Sequence, residues 1–143
     1  VHPDAVNAIP DRADFPLEVR SVSDEGRQGF TDEMRALGNR IAGDAGLSFE
    51  MTRTYVQPAV SCDPELSAAL VAAVEQGGAA AVTLPSGATH DASAMSDLCP
   101  IAMLFLRCRG GLSHHPDEYA SAADMGAALD ALVHVLVSSG PGQ

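Results

Sequence analysis

Two short apolar runs constrain this chain more than any other feature: residues 79–84 (Ala-Ala-Ala-Val-Thr-Leu) and 101–106 (Ile-Ala-Met-Leu-Phe-Leu). Runs so brief and nearly all apolar offer little polar surface to water, which is the pattern of parallel strands covered on both faces. Helical patterns surround them. Asp63 is placed to cap, and Pro64 to start, a helix with Leu66, Ala69, Leu70, Ala73 and Val74 on one side, stopped by Gly77-Gly78. A short helix fits between the two runs, within residues 90–98. Ser121-x-x-Asp124 is a capping-box-like start for a last helix with its stripe at Met125, Ala128, Leu129, Leu132, Val133 and Leu136. Helices alternating with buried strands predict a parallel α/β sheet for this half of the chain.

The preceding half has another character. Residues 6–9 form a short strand candidate, and Pro10-Asp11-Arg12-Ala13 reads as a turn. Phe15, Leu17 and Val19 then alternate with polar residues up to Arg20, while Pro16, lacking an N–H, favours an edge or bulged position. Ser23 can cap a helix whose stripe is Phe30, Met34, Leu37 and Ile41, ending near Gly43 to Gly46. Leu47, Phe49 and Met51 alternate once more. Such an order suggests part of an α+β layer with one sheet face open to water. The change of character falls at residues 57–64.

Charge and length narrow the partners. Nineteen acidic against eight basic residues give a net charge of −11, which argues against nucleic acid or an anionic membrane. No apolar run approaches the roughly 20 residues of a membrane span, and no signal-peptide pattern opens the chain, so a cytoplasmic protein is expected. Its first residue is Val1 rather than methionine, consistent with a cut start. Cys62, Cys99 and Cys108 are odd in number and lack Cys-x-x-Cys spacing, so they are expected to be buried, reduced thiols.

Chemistry is concentrated in two loops, each just after an apolar run. The first is Ser86-Gly87-Ala88-Thr89-His90-Asp91-Ala92, and the second is Gly110-Gly111-Leu112-Ser113-His114-His115-Pro116-Asp117-Glu118-Tyr119. The rim past a strand's end is where α/β sheets bind ligands, and neutral imidazole is the commonest metal ligand. Together these loops resemble the C-terminal signature of the amidohydrolases that act on N-carbamoyl amino acids and allantoate. Members read approximately Ser-Gly-Ala-Gly-His-Asp-Ala, an apolar strand, then Gly-Ile-Ser-His-Asn-Pro-x-Glu-Tyr. They belong to the two-metal hydrolases that include aminoacylases and carboxypeptidase-like peptidases. The resemblance covers essentially the whole chain, which looks like only the C-terminal portion of a member.

That resemblance implies the C-terminal half of a satellite (lid and dimerisation) domain over 1–57, then closing α/β units of a parallel-sheet catalytic domain over 58–143. It also assigns residues. His114 matches the family's final metal ligand, with His115 where asparagine is common. Asn7, in Asn-Ala-Ile-Pro, matches a substrate-contacting asparagine. Arg20, closing Leu-Glu-Val-Arg, matches the arginine that holds the substrate carboxylate, a role suited to a permanently charged, forked guanidinium. Thr89 stands where the family usually has glycine at a substrate-contacting backbone position, so a side chain there is expected to reshape the pocket. His90 and Asp91 are expected to orient the loop and cap the next helix.

In a complete member the resemblance implies two divalent metal ions (zinc, manganese or cobalt), a carboxylate-bearing small-molecule substrate, hydrolysis of a linear amide or ureido bond, and a homodimer formed through the satellite domain. The bridging aspartate, the other ligands and the glutamate general base have no match here. His2-Pro3-Asp4 only superficially resembles the family's early His-x-Asp motif. The chain alone is therefore expected to be inactive. The alternative is a truncated, non-enzymatic dimerisation or small-molecule-binding module.

Overall fold

The computed structural model describes residues 1–138, which divide into two compact units, one over Val1–Ala59 and a second that begins at Val60. The first is organised on α1 (Asp24–Asp44). Ser23 caps it through its hydroxyl oxygen, which accepts the Gly26 N–H at 3.1 Å, and Asp24 and Glu25 complement the helix dipole in the first turn. Past the C-cap at Ala45, Gly46 takes φ +67°, the left-handed conformation that glycine adopts without cost.

Residues 47–59 return along α1. The Leu47 N–H donates to the Ala42 carbonyl, Arg35 donates to the Met51 carbonyl at 2.8 Å, Arg53 to Gln28, and the Ala59 N–H to Asp24. Phe49 rests on Gly38 so closely that a Cβ there would lie 2.4 Å from the ring.

The second unit is built on α2 (Pro64–Gln76) and α4 (Ala122–Ser138), which pack together. Asp63 caps α2 by accepting the Leu66 N–H at 2.8 Å, Pro64 occupies the first turn, and Gly78 at φ +82° follows its end. Short α3 (Asp91–Met95) and a 3-10 turn at Arg109–Gly111 lie between. The most covered residues of these helices are Leu70 and Ala73 (5% exposed) on α2 and Ala131 (4%) on α4.

On α4 this corrects the sequence reading. The face with Ala128, Ala131 and Val135 is covered, whereas Met125, Leu129, Leu132, Val133 and Leu136 are exposed. Small side chains allow two helix backbones to approach, and the bulky stripe on the adjoining face is left without a partner among the described residues.

The paired strands expected of an α/β or α+β fold are likewise not formed among the described residues. Segments 6–9, 14–20, 47–52, 79–84 and 101–106 carry no ladder, and an isolated antiparallel bridge joins His2 to Arg12. The physical reason is non-locality: helices close their hydrogen bonds within one turn, but a strand exists only beside another. The apolar side chains meant for sheets consequently face water, Phe15, Val82, Leu84 and Phe105 among them.

The cysteines also differ from expectation. All three are free, but Cys62 and Cys99 are exposed and Cys108 half-buried. Among the described residues, no helix is long and apolar enough to cross a membrane.

Candidate functional site

The loop after residues 101–106 is tied at its base and structured within. The Arg109 N–H donates to the Tyr119 carbonyl at 2.8 Å, and the Arg109 guanidinium lies over the Tyr119 ring, 4.1 Å from its centroid. Gly110 and Gly111 turn the chain with φ of +65° and +67°. Farther round, the Glu118 N–H donates to the His115 carbonyl at 2.9 Å.

His114 itself adopts φ +56°, a left-handed conformation that costs a non-glycine residue on the order of 1–2 kcal/mol. Its backbone N–H is received by Glu118 Oε2 at 2.9 Å. The two imidazoles are thereby distinguished. His115 Nδ1 accepts the Asp117 N–H at 3.1 Å, whereas the His114 ring has no hydrogen bond among the described residues and is exposed.

The other loop is held by a serine–histidine pair. Ser86 Oγ lies 2.6 Å from His90 Nε2 and also accepts the Ala88 N–H at 3.2 Å. The His90 ring meets Phe105 edge-on, with centroids 5.8 Å apart, which ties this loop to the 101–106 segment. His90 occupies the N-cap position of α3 but makes no capping bond through its side chain. As a cap it contributes only its backbone carbonyl, which accepts the Ser93 N–H. Thr89, between these anchors, is exposed.

In the first unit, Asn7 is exposed in an irregular turn. Arg20 presents both Nε and Nη2 to Glu18 Oε1, each at 2.7 Å, and this pairing raises the guanidinium pKa above its ordinary value. His2 pairs with Asp14 at 2.7 Å rather than with Asp4, so the early His-x-Asp resemblance has no structural counterpart. An open cleft of about 550 Å³ lies beside the start of α2, lined by Cys62, Asp63, Ser96, Cys99 and Ile101 among others. None of the four expected site residues lines it.

A structural zinc ion takes four protein ligands and a catalytic one three. Among the described residues no group of three or more histidine, cysteine, aspartate or glutamate side chains could hold a metal. His114 fits as one donor, exposed and unpaired on a loop that fixes its backbone, but the set is not assembled here. Glu118 and Tyr119 were present in the quoted motif without a role. The signal for them was their spacing from His114, which lets one loop close on itself.

The sequence pattern of peptidase family M20/M25/M40 matches residues 3–138. Among curated proteins, the chain is 35% identical over 144 residues to an allantoate deiminase of Arabidopsis thaliana, covering 95% of the chain and 27% of that protein. It is 30% identical to an N-carbamoyl-L-amino acid amidohydrolase of Geobacillus stearothermophilus, covering 95% of the chain and 33% of that protein. An allantoate amidohydrolase of Bacillus subtilis is 32% identical over 94% of the chain and 32% of its own length. The chain thus spans about a third or less of each of these relatives. With all but a few residues at either end matched, the chain belongs to peptidase family M20/M25/M40.

Proposed function

We propose that this chain contributes the substrate-reading and final metal-ligand loops of a metal-dependent amidohydrolase that cleaves linear amide or ureido C–N bonds of N-carbamoyl amino acid or allantoate type. The observation that carries the reading is the loop closed by Arg109 and Tyr119, in which the His114 imidazole is exposed and has no hydrogen bond among the described residues. Family membership and the relatives' names supply the reaction class.

When bound, divalent ions supply Lewis acidity toward water and the scissile carbonyl. The chain's own contributions are simpler. His114 offers a neutral imidazole donor. Arg20 offers a guanidinium to a substrate carboxylate, and its present pairing with Glu18 displays that affinity in miniature. Asn7 and the backbone at Thr89 add polar contacts to substrate.

In this reading segments 79–84 and 101–106 are strands of the catalytic sheet, and 14–20 and 47–52 strands of the satellite layer. Their partners lie in the parts of a family protein that this chain does not match. Their patterns support this, as do the apolar side chains they leave exposed.

The test is hydrolysis by the chain in its full-length context. N-carbamoyl amino acids and allantoate should release ammonia, with activity lost on chelation and restored by zinc, manganese or cobalt. Absence of turnover on both substrates, or turnover that survives complete chelation, would contradict the reading. The 143-residue chain alone should show no turnover.

A further inference from the structure

We propose that Cys62 and Cys99 form a peroxide-responsive dithiol site, which oxidation converts to a disulfide across the cleft at the start of α2. Both thiols are free, both are exposed, and both line that cleft, whose volume is about 550 Å³. Residues 61–64 form one wall and residues 96–101 the other. The main chain ties the walls together, because the Asp63 N–H donates to the Ile101 carbonyl at 2.7 Å. Cys62 directly precedes Asp63, and Cys99 stands two residues before Ile101. The third cysteine, Cys108, is half-buried and lies outside the cleft lining.

Two exposed thiols on one cleft follow a defined oxidation course. The thiolate of one attacks a peroxide oxygen. An S–O bond forms as the O–O bond breaks, giving a sulfenic acid and, with that thiol's proton, water. The second sulfur then attacks the sulfenic sulfur. The S–S bond forms, the S–O bond breaks, and the hydroxyl leaves with the second thiol's proton as another water. Two thiols and one hydrogen peroxide thus become one disulfide and two waters. The oxidant class follows from the lining. Asp63 and Asp97 share the cleft with the thiols, so a small neutral peroxide meets no repulsion there, whereas an anionic disulfide such as oxidised glutathione does. A disulfide needs its Cα atoms within about 7 Å, so the bond holds the two walls together. It staples the residue before the α2 cap to the segment leading into 101–106.

The experiment is tandem mass spectrometry of tryptic peptides from the chain in its full-length context, after hydrogen peroxide and then iodoacetamide. Trypsin cuts after Arg53 and Arg107 and finds no Lys or Arg between them. Cys62 and Cys99 therefore fall in one peptide, residues 54–107, and Cys108 in another. Peptide 54–107 should emerge two hydrogens lighter and unalkylated, and should take up two alkyl groups when dithiothreitol precedes iodoacetamide. In urea the ratio of disulfide to over-oxidised cysteine should fall by roughly tenfold, since closing a long unfolded loop costs entropy. Two alkyl groups on peptide 54–107, in a sample where the exposed Met125 is already oxidised, would overturn the proposal. So would oxygen added to Cys62 or Cys99 without loss of the two hydrogens, or a cross-link to the Cys108 peptide. An unchanged ratio in urea would show that the fold does not bring the two thiols together, and it too would overturn the site.

Discussion

Ser86 Oγ lies 2.6 Å from His90 Nε2, and the same oxygen accepts the Ala88 N–H. One hydroxyl thus bridges an imidazole and the backbone of the loop between them. A single hydrogen bond of this kind contributes on the order of 0.5–1.5 kcal/mol net. Ser86→Ala should lower stability by about that amount and speed amide exchange at Ala88, whereas Ser86→Thr, which keeps the hydroxyl, should do neither. Unchanged exchange at Ala88 in Ser86→Ala would show that the hydroxyl does not hold the loop.

Two glycines of α1 should respond oppositely to alanine. A Cβ at Gly38 would meet the Phe49 ring at 2.4 Å, while nothing lies within 4 Å of one at Gly43. Removing glycine from a helix interior gains up to about 1 kcal/mol, and overpacking costs about 1–3 kcal/mol. Gly43→Ala should therefore stabilise the first unit, and Gly38→Ala should destabilise it by roughly 1 kcal/mol net. Denaturant unfolding of each variant decides. Equal stabilisation by both would mean that Phe49 does not pack on α1.

How legible these features were depended on the range of the interactions behind them. Ser23, Asp63 with Pro64, and Ser121 with Asp124 each marked a helix start, because a cap acts on the N–H groups two or three residues away. Gly46 and Gly78 marked helix ends for a similar local reason. Segments 79–84 and 101–106 read as strands but are unpaired among the described residues, since a ladder needs a neighbour their own sequence cannot supply. The covered face of α4 was misread because its bulky residues were taken as the packing side, whereas close approach to α2 selects Ala131. At the candidate site, the motif singled out His114, but the contacts made by Glu118 and Arg109 emerge only when the loop is seen closing on itself.

Stability of the first unit should decline in acid partly through Asp24. The Arg27 guanidinium, first, and the Ala59 N–H, second, hold its carboxyl below the ordinary carboxylate value. A depressed folded-state pKa stabilises the fold above the unfolded value, and that stabilisation is lost as pH falls through the folded value. The melting temperature should thus drop on acidification below the usual aspartate range, and Asp24→Asn should flatten that part of the curve. An identical acid limb in the variant would remove Asp24 from the explanation.

Arg20 tests the substrate-reading role. In the full-length context Arg20→Lys keeps the charge but loses the fork. A charged hydrogen bond contributes about 1.5–3 kcal/mol, so kcat/KM for a carboxylate substrate should fall roughly ten- to a hundredfold. Metal content should be unchanged, and a neutral amide analogue nearly indifferent to the substitution. Because Glu18 pairs with Arg20 here, Glu18→Ala should lower KM rather than raise it. Equal losses on both substrates would make Arg20 a structural residue.

The most direct measurement is metal content per chain in full-length protein, compared between His114→Ala and His115→Asn. The His115 ring is already bonded to the Asp117 N–H, while the His114 ring is exposed and has no hydrogen bond among the described residues. His114→Ala should therefore lose one metal ion together with nearly all hydrolysis of ureido substrates, and His115→Asn should retain both. Full metal content in His114→Ala, or equal losses from the two variants, would contradict the assignment of His114 as the ligand.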